Sequence, residues 1–304
     1  MALDASVTVV SAADAAYFEL LRELVISLQR GSSSRALAVS IMDLGLEGEQ
    51  KRWLENQGAR VVDPGWDIDF PGRARTPAYY KAMTARPYLP KHFPGYAVYL
   101  WIDADAWVQD DTVLEIFVSG ARRGMLAIVP EIDRGYWTIH KRPKFWGQNQ
   151  RAFAWAYGWR AGYRLGRNAI LNSGAFALRG DAPHWRLWAE AHATAIRRRR
   201  IGRPWSASAI EFRNAEQTAL NYVVFAEHAP ATFLPAYCNW FCGKGTPMYD
   251  PARRLLVEPH EPHRPIGIVH LAGKPMKERV WELATLAGGA VNTRLTFEAI
   301  QALA

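Results

Sequence analysis

Residues 99–111, YLWIDADAWVQDD, decide how the rest of the chain is read. Four apolar residues, Tyr99 to Ile102, run straight into two aspartates, Asp103 and Asp105, with one alanine between them. The apolar run reads as a buried strand. Two ionised carboxylates held at its end repel each other unless something positive stands between them or they point apart into water. Thr112 to Glu115, TVLE, has the form of a capping box and predicts a helix that starts there. Asp103 and Asp105 therefore fall in a strand-to-helix loop. Asp110 and Asp111 lie beside the cap and are expected to serve it.

Working outward, residues 7–12 read as a buried strand. A helix follows, with Asp14 as N-cap and Tyr17, Phe18, Leu21, Leu24, Val25 and Leu28 at helical spacing. Further strands are expected over 36–45, 59–65 and 125–131, and over 169–180, where Asn172-Ser173-Gly174 interrupts the run. Helices are expected over 47–57, 77–90, 185–200 and 214–228, the last with Asn214 as cap and Gln217 three residues on. Residues 132–165 are aromatic and weakly periodic and read as irregular. Short strands over 231–234, 253–257 and 266–270 precede a helical tail. Strands alternating with helices predict an α/β protein, with a mostly parallel central sheet flanked by helices and ligands at the strand C-termini. No internal repeat or linker divides the chain, so one domain over 1–304 is expected.

Composition narrows the classes. Hydrophobic residues make up 49% of the 304, enough for a sizeable core and too many for a disordered chain. The two cysteines, Cys238 and Cys242, argue against a disulfide framework and fit reduced thiols. Their i, i+4 spacing would suit a metal pair on a helix, but two small, semi-buried side chains are the simpler reading. No apolar run reaches a bilayer span, and no basic segment precedes the strand-like VTVV, so no signal peptide is expected. The expected location is cytoplasmic, with peripheral contact at the inner membrane face as an option. The charge of +8 includes an arginine run over 197–200 and the RPKFW of 142–146, amid many of the thirteen tryptophans. This suits an anionic membrane surface, nucleic acid or a phosphorylated substrate. For the arginine run, a solvated helix end is the plainer account. HEPH, residues 260–263, suggests a second metal site, but neighbouring prolines favour a surface loop.

Glycine motifs that cradle phosphates are missing: the first strand is not followed by G-x-G-x-x-G, and no Walker A sequence occurs. A divalent cation on Asp103 and Asp105 would hold phosphates instead, by bridging carboxylate and phosphate oxygens. Alone, D-x-D is unspecific. Here AADAAY (12–17), YLWIDADAWV (99–108), NSGAFAL (172–178), AEQTALN (215–221) and VHLAGKPMK (269–277) follow in order. This series resembles the family 8 glycosyltransferases, retaining sugar-nucleotide enzymes of the Rossmann-like GT-A fold that include glycogenin and bacterial galactosyltransferases. It reaches across most of residues 7–277 through short motifs.

The resemblance implies a nucleotide-sugar donor, a UDP-sugar, and a saccharide or lipid-linked acceptor, with no nucleic acid partner. It implies Mn²⁺, with Mg²⁺ as second choice, held by Asp103, Asp105 and His270. Asp14 would contact the uracil and Tyr17 would stack on it. Asp103 would also lie near the ribose, and Asn172 and Gly174 would approach the donor sugar. Glu216 and Gln217 stand where the family has an Asp-Gln pair beside the anomeric carbon. Gly273 and a following lysine would touch the diphosphate. Two departures stand out: Glu216 replaces an aspartate, and Met276 occupies the family lysine's place, flanked by Lys274 and Lys277. The resemblance assigns donor binding to about 1–135 and the acceptor side to about 136–304; the basic and aromatic content of residues 137–205 suits an acceptor or membrane face.

Each residue also has a structural reading. Asp14 caps a helix, Tyr17 fills helix core, Gln217 closes an N-x-x-Q cap, Asn172 to Gly174 form a bulge, and His270 is a core histidine. Two other functions compete. A nucleotidyltransferase would carry a glycine- and arginine-rich loop after the first strand, which SAADAAY lacks. A basic, non-catalytic nucleic-acid binder would leave the late H-x-x-G unexplained.

Overall fold

The computed structural model describes residues 3–139, 142–198, 212 and 214–303, without the side chains of 139, 142–146, 274 and 275. The strands in chain order are β1 (Val7–Ala13), β2 (Ala38–Asp43), β3 (Arg60–Val62), β4 (Val98–Ile102), β5 (Ala106–Val108), β6 (Leu126–Pro130), β7 (Leu171–Arg179), β8 (Ala231–Phe233), β9 (Trp240–Phe241), β10 (Met248–Asp250), β11 (Leu255–Val257), β12 (Ile268–His270), β13 (Trp281–Ala284) and β14 (Ala290–Thr293). The α-helices are α1 (Phe18–Arg30), α2 (Gly48–Asn56), α3 (Lys81–Ala85), α4 (Leu89–His92), α5 (Thr112–Arg122), α6 (Arg142–Tyr157), α7 (Trp159–Leu165), α8 (His184–Arg197), α9 (Ala215–Phe225), α10 (Lys274–Glu278) and α11 (Phe297–Gln301).

Seven strands form the main sheet in the order β3-β2-β1-β4-β7-β6-β8. Strand β7 runs antiparallel to both of its neighbours, and the other pairings are parallel. Successive residues of a strand face opposite sides of the sheet. Val7, Val9 and Leu100 therefore pack with Leu21, Leu24 and Phe117 of α1 and α5 on one side. Val10, Tyr99 and Trp101 pack with Trp188 and Leu220 of α8 and α9 on the other. With both faces covered, β4 is buried along its whole length, which is why its sequence is continuously apolar.

A small second sheet, β5-β12-β9, stands at the end of β4. Ala106 N–H donates to the Asp103 carbonyl at 3.0 Å, turning the chain at once into β5. β5 then pairs antiparallel with β12, setting Ala106 against His270. The distant C-terminal histidine is thereby brought to the aspartate loop.

Several expectations change. The single helix expected over 77–90 is broken into 3₁₀ and α pieces, because Pro87 and Pro90 lack the N–H that a continuous helix needs. The stretch read as irregular, 132–165, contains α6 and α7. The helix starting at Thr112 exists, but its N-cap is Asp111, whose side chain makes no cap bond. Asp110 accepts from the Thr112 N–H and hydroxyl, while Asp111 accepts from Ser33 and Ser34 N–H. β7 is not interrupted at Asn172 to Gly174, although its pairing to β6 shifts register there. The tail is a β13–β14 hairpin before the short α11, turned by Gly288 and Gly289 at positive φ. The cysteines lie on a 3₁₀ turn and β9's end rather than on one α-helix. Both are buried, which pushes their thiols up to about 12.

Candidate active site

The antiparallel β7 delivers its first residues to the edge where β4 ends. Asp103 N–H donates to the Gly174 carbonyl at 2.8 Å. A Cβ on Gly174 would stand 2.7 Å from both Asn172 Oδ1 and Asp103 Oδ2 and would also meet His270 Cε1. Glycine is therefore required by close approach, within the irregularity by which β7 skips residues 173–175 in its pairing with β6. Asn172 is pinned on the same strand: its amide donates to Glu131 Oε1 at 2.8 Å, and its oxygen accepts from Gly174 N–H at 2.7 Å. Lys244 pairs with the other oxygen of Glu131.

Asp103, Asp105 and His270 converge. One ligand atom from each lies within 4.8 Å of the other two. His270 Nε2 stands 3.4 Å from Asp105 Oδ1 and 3.9 Å from Asp103 Oδ2. Its other nitrogen, Nδ1, is 3.1 Å from Asn239 Oδ1. A carbonyl oxygen there places the ring proton on Nδ1, so the Nε2 lone pair faces the aspartates. His270 is buried, yet it is not merely a core histidine, because its free lone pair points at two carboxylates.

The repulsion between the aspartates is offset from two sides. Burial pushes the Asp105 carboxyl up, but a protonated His270 ring and Lys277, whose ammonium is 3.4 Å from Asp105 Oδ2, outweigh it and hold the group well below the usual carboxylate range; the neutral ring, with its lone pair on Nε2, leaves that task to Lys277. Asp103 is bound by Arg86, which the sequence reading did not single out. Arg86 is 6% exposed. It donates to Asp103 Oδ1, to Glu216 Oε2 at 2.8 Å and to Ser173 Oγ at 3.1 Å, and lies over the Trp101 ring at 4.5 Å. Trp101 Nε1–H adds a bond to Asp103 Oδ1 at 2.7 Å.

Glu216 and Gln217 sit at the start of α9 behind β7. Glu216 is 2% exposed, and its Oε1 has no hydrogen bond. Burial raises its carboxyl to about 7, with Arg86 and Ser173 opposing. Gln217 makes no N-x-x-Q cap: Asn214 forms no cap bond, and Gln217 Oε1 accepts from Ser173 N–H at 3.1 Å. Asp14 does cap, accepting from Tyr17 N–H at 3.1 Å. Tyr17 is not core, being 39% exposed with the Lys277 ammonium 3.4 Å above its ring. Gly273, at φ 101°, turns the chain into α10. The Lys274 side chain lies outside the described residues, as do residues 199 and 200 of the arginine run.

Among the described residues, the main sheet's strand order, its one antiparallel strand β7 and the aspartate pair at the end of β4 fit a GT-A fold. By sequence, no family model and no curated protein matches the chain. By structure, it is similar to the galactosyltransferase LgtC in complex with donor and acceptor sugar analogs, at TM-score 0.56 and 14% identity over 97% of this chain and 94% of that one. An active-site mutant of LgtC aligns at TM-score 0.50 and 14% identity, over 89% of this chain and 90% of that one. The bifunctional glycosyltransferase WbbM aligns at TM-score 0.56 and 13% identity, covering 89% of this chain and 46% of that chain. Among the described residues, no helix is long and apolar enough to cross a membrane.

Proposed function

We propose that the chain is a metal-dependent retaining glycosyltransferase that moves a hexosyl group from a UDP-sugar to a saccharide or lipid-linked acceptor. The observation that carries this reading is the convergence of Asp103, Asp105 and His270 on one point of a GT-A fold. Two carboxylates and an imidazole with its lone pair turned inward suit Mn²⁺ better than Mg²⁺, which prefers an all-oxygen shell. When bound, the ion supplies positive charge against the departing diphosphate.

The chain's own residues do the rest. Asp14 and Tyr17 receive the uracil, and Asn172 and the bare Gly174 backbone receive the sugar. Gly273 and Lys277 meet the diphosphate. Lys277 is preferred to Lys274 because its ammonium already reaches the cluster. The acceptor hydroxyl attacks on the face the diphosphate leaves, and a diphosphate oxygen takes its proton. Gln217 borders the sugar at the reacting centre, and buried Glu216 acts behind it by its charge. Residues 137–205 provide the acceptor side, where Trp137, Trp159 and Tyr163 are exposed. The division into donor and acceptor parts near residue 135 stays with this reading only in outline, since Asn172, Gly174, Glu216, Gln217, His270, Gly273 and Lys277 all cross it to reach the donor.

NMR of the product's anomeric proton tests the reading. The donor's configuration is expected to be kept, and inversion would remove the assignment. Asn239→Ala frees the His270 ring to turn. It is expected to weaken Mn²⁺ binding by about 10- to 100-fold. Calorimetry showing unchanged affinity would mean that Asn239 does not orient the ligand.

A further inference from the structure

Asp133, Glu258 and His260 form a second cluster, with one ligand atom of each within 4.8 Å of the others. Asp133 follows β6, while Glu258 and His260 follow β11. They line a cavity of about 570 Å³ that is also bordered by Ile132, Pro235 and Tyr237. The Trp240 ring meets His260 edge-on at 6.3 Å, and the next residue, Phe241, packs on His270 at 4.7 Å. The two clusters thus lie against adjacent residues of β9.

Glu258 is 5% exposed, and its carboxylate receives no hydrogen bond among the described residues. Its ionic neighbour is His260 Nδ1, 4.0 Å away. The other ring nitrogen, Nε2, is 2.8 Å from Asp133 Oδ1, which also accepts from Gly135 N–H at 2.7 Å. A carboxylate at Nε2 places the ring proton there. Nδ1 then carries a lone pair, is buried without a hydrogen bond, and faces a carboxylate oxygen. With the ring neutral that arrangement is repulsive, and either a proton on Nδ1 or a metal cation between the two atoms relieves it. A separation of 4.0 Å is too long for a hydrogen bond. It is close to the spacing of roughly 3–4 Å between two ligands that each lie about 2.1 Å from one ion. Arg134 donates to the Glu261 carbonyl and Arg264 lies over Tyr237 at 5.5 Å, so both act on the Glu258 carboxylate by charge at a distance and neither bonds to it.

We infer that His260 Nδ1 and Glu258 bind a divalent transition metal of the zinc type, with Asp133 as the positioning residue behind the imidazole. One imidazole and one carboxylate, with water from the cavity completing the shell, match the ligand preference of such ions. The carboxylate–histidine pair holds the ring's tautomer and direction. The bound ion ties the loop after β11 to the segment after β6. HEPH is then more than a surface loop, since His260 turns inward.

Calorimetric titration of the metal-free, full-length protein with Zn²⁺ tests this. Glu258→Gln and His260→Gln are each expected to lose one equivalent relative to the wild type. Asp133→Asn should weaken that equivalent by about 10- to 100-fold, and Asp105→Asn should leave it in place. Zn²⁺ should raise the melting temperature of the wild type and of Asp105→Asn, but not of Glu258→Gln. Without metal, Glu258→Gln should melt no lower than the wild type, because it replaces an unbonded buried carboxylate. Unchanged stoichiometry in Glu258→Gln and His260→Gln would overturn the inference. So would loss of all Zn²⁺ uptake in Asp105→Asn, or a lower melting temperature of metal-free Glu258→Gln.

Discussion

Arg86→Met is expected to destabilise the chain by about 3–5 kcal/mol, the cost of breaking a buried ion pair from one side. The buried guanidinium joins buried Glu216 and Ser173 to the part-exposed Asp103. Burial alone would lower its affinity for a proton, but the facing carboxylates Asp103 and Glu216 outweigh this. Methionine fills similar space and leaves both acids uncompensated. The pH dependence identifies the cause. Glu216 has a folded pKa raised to about 7 from its ordinary 4.5, so its favourable contribution is full below about 4.5 and is lost as pH rises towards 7. Without Arg86 its folded pKa rises further, and the loss continues above 7 by up to about 1.4 kcal/mol per pH unit. Urea unfolding should therefore show the gap between variant and wild type widening from neutral to alkaline pH. Adding Glu216→Gln should recover part of the loss. A gap that is constant with pH would mean that only packing had been removed.

Asp105→Asn is expected to lower transferase turnover by about a thousandfold, corresponding to several kcal/mol of transition-state charge stabilisation. The amide keeps the shape but removes the charge set between His270 Nε2 and the Lys277 ammonium. The fold should survive, because the main sheet does not depend on this side chain. Raising Mn²⁺ should not restore the wild-type rate. Full rescue by excess Mn²⁺ would mean that the residue tunes affinity alone.

How far the sequence shows all this depends on the residue. β1, β4 and α1 are legible because burial on both faces leaves a continuous apolar run and burial on one leaves helical spacing. The aspartate pair and His270 are legible as motifs, but their meeting depends on the β5–β12 register, which a short apolar strand does not announce. Helix α6 is not legible. It packs against α7, α8 and α9 at once, so its apolar residues do not keep to one stripe. Arg86 stands beside Pro87 in what reads simply as a helix over 77–90, and nothing in that pattern marks it as buried. One signal was present: Asp103, Asp105 and a buried acid on α9 require a matching cation. Asn239 has no sequence signal of its own, since its role is to hold a ring 31 residues away.

The most direct test of the central claim is calorimetry of UDP with the full chain, in Mn²⁺ and in EDTA. The account predicts binding with Mn²⁺, little or none in EDTA, and none in either buffer for Asp105→Asn. Equal UDP affinity with and without the metal would contradict it.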